Sequence, residues 1–159
     1  MNRTTKLSNV QTLSKSGRTM KGISLKANKE ITGYLKKVLN YDGMDDLNIP
    51  GKLLKDLPDI INLSIGQVID ALGISKSTYY RARNIRRLDR ETVDRMASLL
   101  KIYEKGILAF NGDSEQFKAW LNTSIHNLGG RKPIELITSE NGRISVLQAL
   151  GRVRYNVYG

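Results

Sequence analysis

Five residues in one short stretch carry donors of the kind that read nucleic acid: Lys76, Ser77, Tyr80, Arg81 and Asn84. Their spacing puts them on one side of a helix, with Tyr79 and Ala82 facing the other way. Lysine and arginine suit guanine edges or phosphates, asparagine suits adenine, and serine and tyrosine suit phosphates. Arg83, Arg86 and Arg87 follow closely and add weight to phosphate contact. A second group closes the chain, where Arg152, Arg154, Tyr155, Val157, Tyr158 and the Gly159 carboxylate combine arginine with aromatic rings. Those residue types are enriched at the energetic centres of protein interfaces, although a frayed terminus without a role would carry them equally well.

Other chemistries lack their parts. His126 is the only histidine and cysteine is absent, so thiolate zinc sites, cysteine nucleophiles and disulfides are excluded, as is any site needing two imidazoles. Among Asn, Ser and Thr neighbours, His126 reads as a turn residue bonded to backbone. Asp42, Asp45 and Asp46 lack the spacing and closing glutamate of a calcium loop. The Gly-Gly-Arg-Lys at 129–132 lacks the spaced glycines and preceding strand of a phosphate loop. No paired carboxylates suited to hydrolysis are recognisable. The expectation is a protein that binds rather than catalyses, with no metal and no cofactor.

Composition agrees with a binding role. The 159 residues hold 26 Lys and Arg against 15 Asp and Glu, a formal charge of +11. That excess favours a polyanionic partner, nucleic acid ahead of membrane, with a merely solvated basic surface as the alternative. The longest aliphatic or aromatic run, residues 107–110, is far too short to span a bilayer, and the first residues lack a signal peptide's apolar core. A cytoplasmic protein is expected, built as one ordinary domain or two small ones sharing a core.

The elements that must position these residues are all helical. Residues 1–28 show no sustained period and read as a flexible basic tail. Ile31, Tyr34, Leu35 and Val38 mark a helix over 30–39, and 52–61 reads as a second helix interrupted by Pro58. Residues 64–84 read as two short helices with Gly73 at the corner and Ser75 capping the second, the helix-turn-helix layout. Ile69 occupies the inner position where that layout usually carries a small residue. Val93, Met96, Ala97, Leu100, Tyr103, Ile107 and Phe110 form one stripe on a long helix capped by Asp89, with Gly106 kinking its end. Asn111-Gly112 ends it, and Asp113 with Gln116 forms a capping box for a helix bearing Phe117, Trp120 and Leu121. Gly129-Gly130 supplies a turn, Pro133 starts a helix that breaks at Asn141-Gly142, and a last helix over 144–150 ends about Gly151. Nothing reads as a sheet. The expected division is a tail at 1–28, a helix-turn-helix domain at 29–105 and a C-terminal module at 106–159.

The order of motifs in that module carries a resemblance. Trp-Leu at 120–121, Leu-Gly-Gly-Arg-x-Pro at 128–133, Glu-Leu-Ile at 135–137, Asn-Gly at 141–142 and Leu-Gly-Arg-x-x-Tyr at 150–155 resemble the C-terminal toxin-binding domain of Xre/ParS-type antitoxins, partners of RES-domain toxins. The likeness covers residues 107–159. Arg154 stands where an acidic or apolar residue is expected, and Asn156 where the family usually has glycine. Residues 64–84, with Ser-Lys-Ser-Thr-Tyr-Tyr-Arg-Ala-Arg at 75–83, likewise resemble the Xre-like DNA-binding domain that precedes it in this family. The resemblance implies an all-α protein, an Xre-like helix-turn-helix domain followed by a small helical toxin-binding domain. It implies an antitoxin that neutralises a RES-type, NAD-consuming toxin and represses its own operon as a homodimer on operator DNA. It also implies that Arg152, Arg154, Tyr155, Tyr158 and Gly159 engage the toxin, the chain end plugging its NAD site. The competing reading is a free-standing transcription regulator whose C-terminal module only dimerises.

Overall fold

The computed structural model describes residues 29–44 and 46–154. The expected basic tail, Asp45, and the chain-end residues Tyr155, Tyr158 and Gly159 lie outside the described residues. Helices α1 (Lys29–Leu39), α2 (Lys52–Ile61), α3 (Ile65–Leu72), α4 (Lys76–Ala82), α5 (Arg90–Ala109), α6 (Ser114–Leu121), α7 (Pro133–Leu136) and α8 (Glu140–Arg154) follow one another, with a 3₁₀ turn at His126–Leu128. The fold is all-α, and among the described residues the nearest thing to a strand is one isolated antiparallel bridge between Ile125 and Arg131. No described helix is long and apolar enough to cross a membrane.

Helix α5 is the spine. The sequence predicts a single apolar stripe, yet Leu99 and Ile102 are as buried as Met96 and Leu100. A helix is apolar on so much of its circumference when it is packed from more than one side. Here α1 and α3 lie against it from the helix-turn-helix half and α6 and α8 from the C-terminal half. Its start is fixed by Asp89, whose carboxylate accepts from the Thr92 amide at 2.9 Å and the Thr92 hydroxyl at 2.7 Å. Burial alone would push the Asp89 carboxyl up, but these two bonds, with its own backbone amide and the nearby Arg95, together outweigh it and hold the group below its ordinary value.

Three punctuation residues act differently from the sequence expectation. Pro58 does not interrupt α2, which runs on to Ile61. The missing amide leaves the Leu54 carbonyl without its helical donor, and the buried Tyr79 hydroxyl supplies the bond at 2.7 Å. Gly106 lies within α5, which runs on to Ala109. A Cβ there would sit 2.2 Å from the Phe117 ring, so the glycine is the seat into which that ring packs. Asn141-Gly142 does not break a helix either, because it lies in the first turn of α8. A Cβ on Gly142 would meet the Leu136 carbonyl oxygen at 1.9 Å, so the residue lets α8 start directly against the end of α7. Nor does the last helix stop near Gly151: it continues to Arg154.

Candidate nucleic-acid and partner interfaces

The helix-turn-helix segment is locally specified at each joint. Ser64 and Gln67 form a full capping box on α3, each side chain bonding the other's backbone amide. At Asp113 only half of the expected box exists, the carboxylate accepting from the Glu115 and Gln116 amides. Gly73 ends α3 at φ 61° and ψ 35°, the left-handed conformation glycine adopts without strain. The two α3 carbonyls exposed at that corner, Leu72 and Gly73, accept from Arg95 Nη1 of α5 at 2.8 and 2.6 Å. A guanidinium at a helix C-terminus also opposes the negative end of its dipole. Ser75 then caps α4 by accepting from the Thr78 amide at 3.1 Å. Ile69, at the inner position, is buried.

Tyr79 and Ala82 turn into the core and leave the outer side of α4 to Lys76, Ser77, Tyr80 and Arg81, all exposed. Asn84 is exposed as well, in the turn after the helix, and its amide donates to the Tyr80 carbonyl at 3.2 Å. Ser77 shares a hydroxyl contact of 3.0 Å with Ser75. Tyr80 meets the Tyr79 ring edge-on at 5.6 Å, and the Arg83 guanidinium lies 5.2 Å from the Tyr80 centroid and 5.6 Å from that of Tyr79. That stack fixes the attitude of Tyr80. The arginines of α4 and the turn after it divide: Arg87 pairs with Asp46, Arg90 at the start of α5 donates to the Gly43 carbonyl, and the guanidiniums of Arg81 and Arg86 have no hydrogen-bond or ion-pair partner among the described residues. Donors without internal partners are the ones free to take phosphate oxygens or base edges.

The C-terminal module is tied to the helix-turn-helix by side-chain hydrogen bonds on one side and faces it across a groove on the other. On one side Asn62, in the corner before α3, donates to Glu115 at 2.7 Å and accepts from Lys118 at 3.2 Å, while Gln67 donates to Asn122 at 3.3 Å. On the other, a groove of about 680 Å³ separates the α3–α4 corner from the start of α8, with Arg95 and Arg143 in its wall. Burial lowers the Arg143 pKa, the neighbouring Arg95 lowers it further, and its Nη1 is buried without a partner.

Within the module, Phe117 and Trp120 stack at 6.2 Å, and Phe110 closes the cluster 6.0 Å from each of them. Trp120 is only half-buried. Gly129 and Gly130 both have positive φ, 69° and 73°, and turn the chain back so that the Ile125 amide donates to the Arg131 carbonyl at 3.1 Å. Exposed His126 lies in the 3₁₀ turn before them, its carbonyl accepting from the Gly129 amide at 2.9 Å. Between this turn and α8 opens a cleft of about 250 Å³ with Arg131, Ser145, Gln148 and Arg152 in its walls. Of the expected toxin-binding residues, Arg152 and Arg154 are exposed on the last turn of α8 rather than in an extended tail. Sequence reasoning named Arg152 without Arg131 or Gln148, because the turn and the helix that bring them together are separated along the chain.

A helix-turn-helix-like first half joined through one long helix to a compact helical module defines the class: a small all-α protein of two helical parts. Residues 107–155 match the antitoxin Xre/MbcA/ParS C-terminal toxin-binding domain. The chain is similar to an antitoxin Xre of Yersinia enterocolitica, 29% identical over 93 residues, which are 58% of this chain and 63% of that protein. It is also similar to an antitoxin Xre of Photorhabdus laumondii, 23% identical over 125 residues, 78% of this chain and 80% of that protein. The match thus spans less than two thirds of the Yersinia relative. The resemblance to Xre/ParS-type antitoxins read from the sequence is borne out by these likenesses.

Proposed function

We propose that this chain is an antitoxin that binds and neutralises a RES-type, NAD-consuming toxin and represses its own operon by binding operator DNA as a homodimer. The observation that carries the reading is the match of residues 107–155 to an antitoxin toxin-binding domain, joined through α5 to a helix whose outer side is lined by exposed donors. Lys76 and Arg81 read the major groove, with Ser77, Tyr80 and Asn84 beside them and Arg86 on the adjoining backbone. One such unit buries too little surface for tight specific binding, so two copies on a two-fold operator are required. At the other end, Arg152 contacts the toxin from the last turn of α8, and Arg154 with the residues beyond it enters the toxin's NAD site, where aromatic rings and a carboxylate fill a cleft made for stacked rings.

A gel shift on the upstream DNA of this gene tests the DNA half. Arg81→Ala costs about 1–3 kcal/mol of operator affinity if it reads a base edge, and binding weakens steeply with added salt. No change in the shift with Lys76→Ala and Arg81→Ala together contradicts α4 as the reader. For the other half, deleting residues 155–159 from the full chain leaves DNA binding intact and removes protection against the toxin. Undiminished protection places inhibition elsewhere in the module.

A further inference from the structure

The cleft between the glycine turn and α8 has a one-sided chemistry. Arg131, Ser145, Gln148 and Arg152 surround a floor of Leu128 and Leu136, and among the described residues no aspartate or glutamate lines it. Arg131 and Arg152 are exposed, and neither guanidinium has a hydrogen-bond or ion-pair partner among the described residues. The groove beside the α3–α4 corner is different, since Glu91, Asp94 and Glu140 stand in its wall with the arginines. Two unpaired guanidiniums and a side-chain amide around one small cavity make a receptor for an oxyanion held by charge-assisted, bidentate bonds.

The receptor is built on fixed parts. Ser145, Gln148 and Arg152 follow at i, i+3 and i+7 on α8, so they share one helix face. That face is held down by Val146, Ala149 and Leu150 on the buried side. Opposite, Arg131 is tied through its backbone carbonyl to Ile125, and Leu128 anchors the turn in the core. Neither wall needs to reorganise to accept a ligand.

We infer that this cleft is a second toxin-docking point, which receives an aspartate or glutamate side chain from a loop of the toxin. The inference rests on the antitoxin reading and extends it: the chain end plugs the toxin's cleft while the toxin places an acidic loop in this one. The cleft lies wholly within the residues that match the toxin-binding domain. None of its residues belongs to α3, α4 or the arginine-bearing turn after α4, so phosphate of the operator has its own donors elsewhere. A carboxylate from the partner also answers the unbalanced positive charge locally, and reciprocal insertion orients the two proteins in a way a single tail does not.

The test is titration calorimetry of the full chain against a catalytically inactive form of the RES-domain toxin encoded beside it. Arg131→Glu and Arg152→Glu each weaken binding about tenfold or more, and together more than either alone, while Arg131→Lys and Arg152→Lys, which keep the charge but lose the planar fork, weaken it less than the glutamate variants do. The melting temperature and the operator gel shift stay at wild-type values. Should the glutamate variants fold poorly, Arg131→Gln with Arg152→Gln replaces them and weakens binding in the same direction. Restoration of binding to the double glutamate variant by an Asp→Lys or Glu→Lys change in the toxin identifies the inserted carboxylate. Toxin affinity of the double variant within about threefold of wild type overturns the cleft and leaves the antitoxin reading standing. Loss of the gel shift with toxin affinity kept overturns it in favour of a phosphate site. Absence of binding by the wild-type chain overturns the antitoxin reading, and this inference with it.

Discussion

The bond from the Tyr79 hydroxyl to the Leu54 carbonyl shows how single residues hold α4 in place. Pro58 removes the amide that would serve that carbonyl, and Tyr79 carries the replacement donor from α4 into α2. Tyr79→Phe therefore leaves a buried acceptor unpaired and costs about 1–3 kcal/mol in urea unfolding. Pro58→Ala restores an amide donor, so it stabilises the Tyr79→Phe protein by about 1 kcal/mol more than it does the wild type. Equal effects in both backgrounds mean the two residues are not coupled. Gly106→Ala makes the complementary case. With the Phe117 ring 2.2 Å from the added carbon, either the ring or the helix must move, and the cost is about 1–3 kcal/mol as overpacking, seen as a lower urea midpoint. A midpoint at the wild-type value contradicts the ring's seat.

At the scale of elements, Arg95 is the clasp between α5 and the helix-turn-helix corner. Arg95→Ala exposes two helix-end carbonyls and lowers both the melting temperature and operator affinity, since the corner sets the attitude of α4. Its neighbour behaves oppositely: Arg143→Met removes a buried unpartnered donor and a like charge, so the melting temperature holds or rises. A fall in melting temperature contradicts that account. The element order, the Gly73 corner, the Ser75 and Asp89 caps and the outward residues of α4 were legible in sequence because each depends on neighbours a few positions away. The packing roles of Pro58, Gly106 and Gly142 were not legible, for the converse reason. Each answers to a residue that only the packed chain brings near, a hydroxyl from α4, a ring from α6 and a carbonyl from α7. The cleft was half legible: Arg152 stood out by type, whereas its juxtaposition with Arg131 comes from the glycine turn folding onto α8.

For the whole molecule, the shared spine decides how the parts respond together. Helix α5 is buried from both halves, and polar bonds from Asn62 and Gln67 reach α6 and the residue after it. The chain should unfold in one transition, with fluorescence of Trp120 and far-ultraviolet dichroism coinciding. That transition has a defined alkaline limit. Burial pushes the Tyr103 hydroxyl up to about 12 from its ordinary value of 10.0, and Tyr79 rises for the same reason. A folded pKa raised above the unfolded value contributes stability that is complete below pH 10 and lost as pH rises toward 12. Melting temperature should therefore fall through that window, less steeply in Tyr103→Phe, and identical slopes would contradict the assignment. The central claim, that the C-terminal module disarms a toxin, is tested most directly by one measurement: the rate of NAD loss with purified RES-domain toxin titrated by this chain. The account predicts that loss stops at a fixed molar ratio and that Arg81→Ala stops it equally well. NAD loss that continues unchanged at molar excess would contradict it.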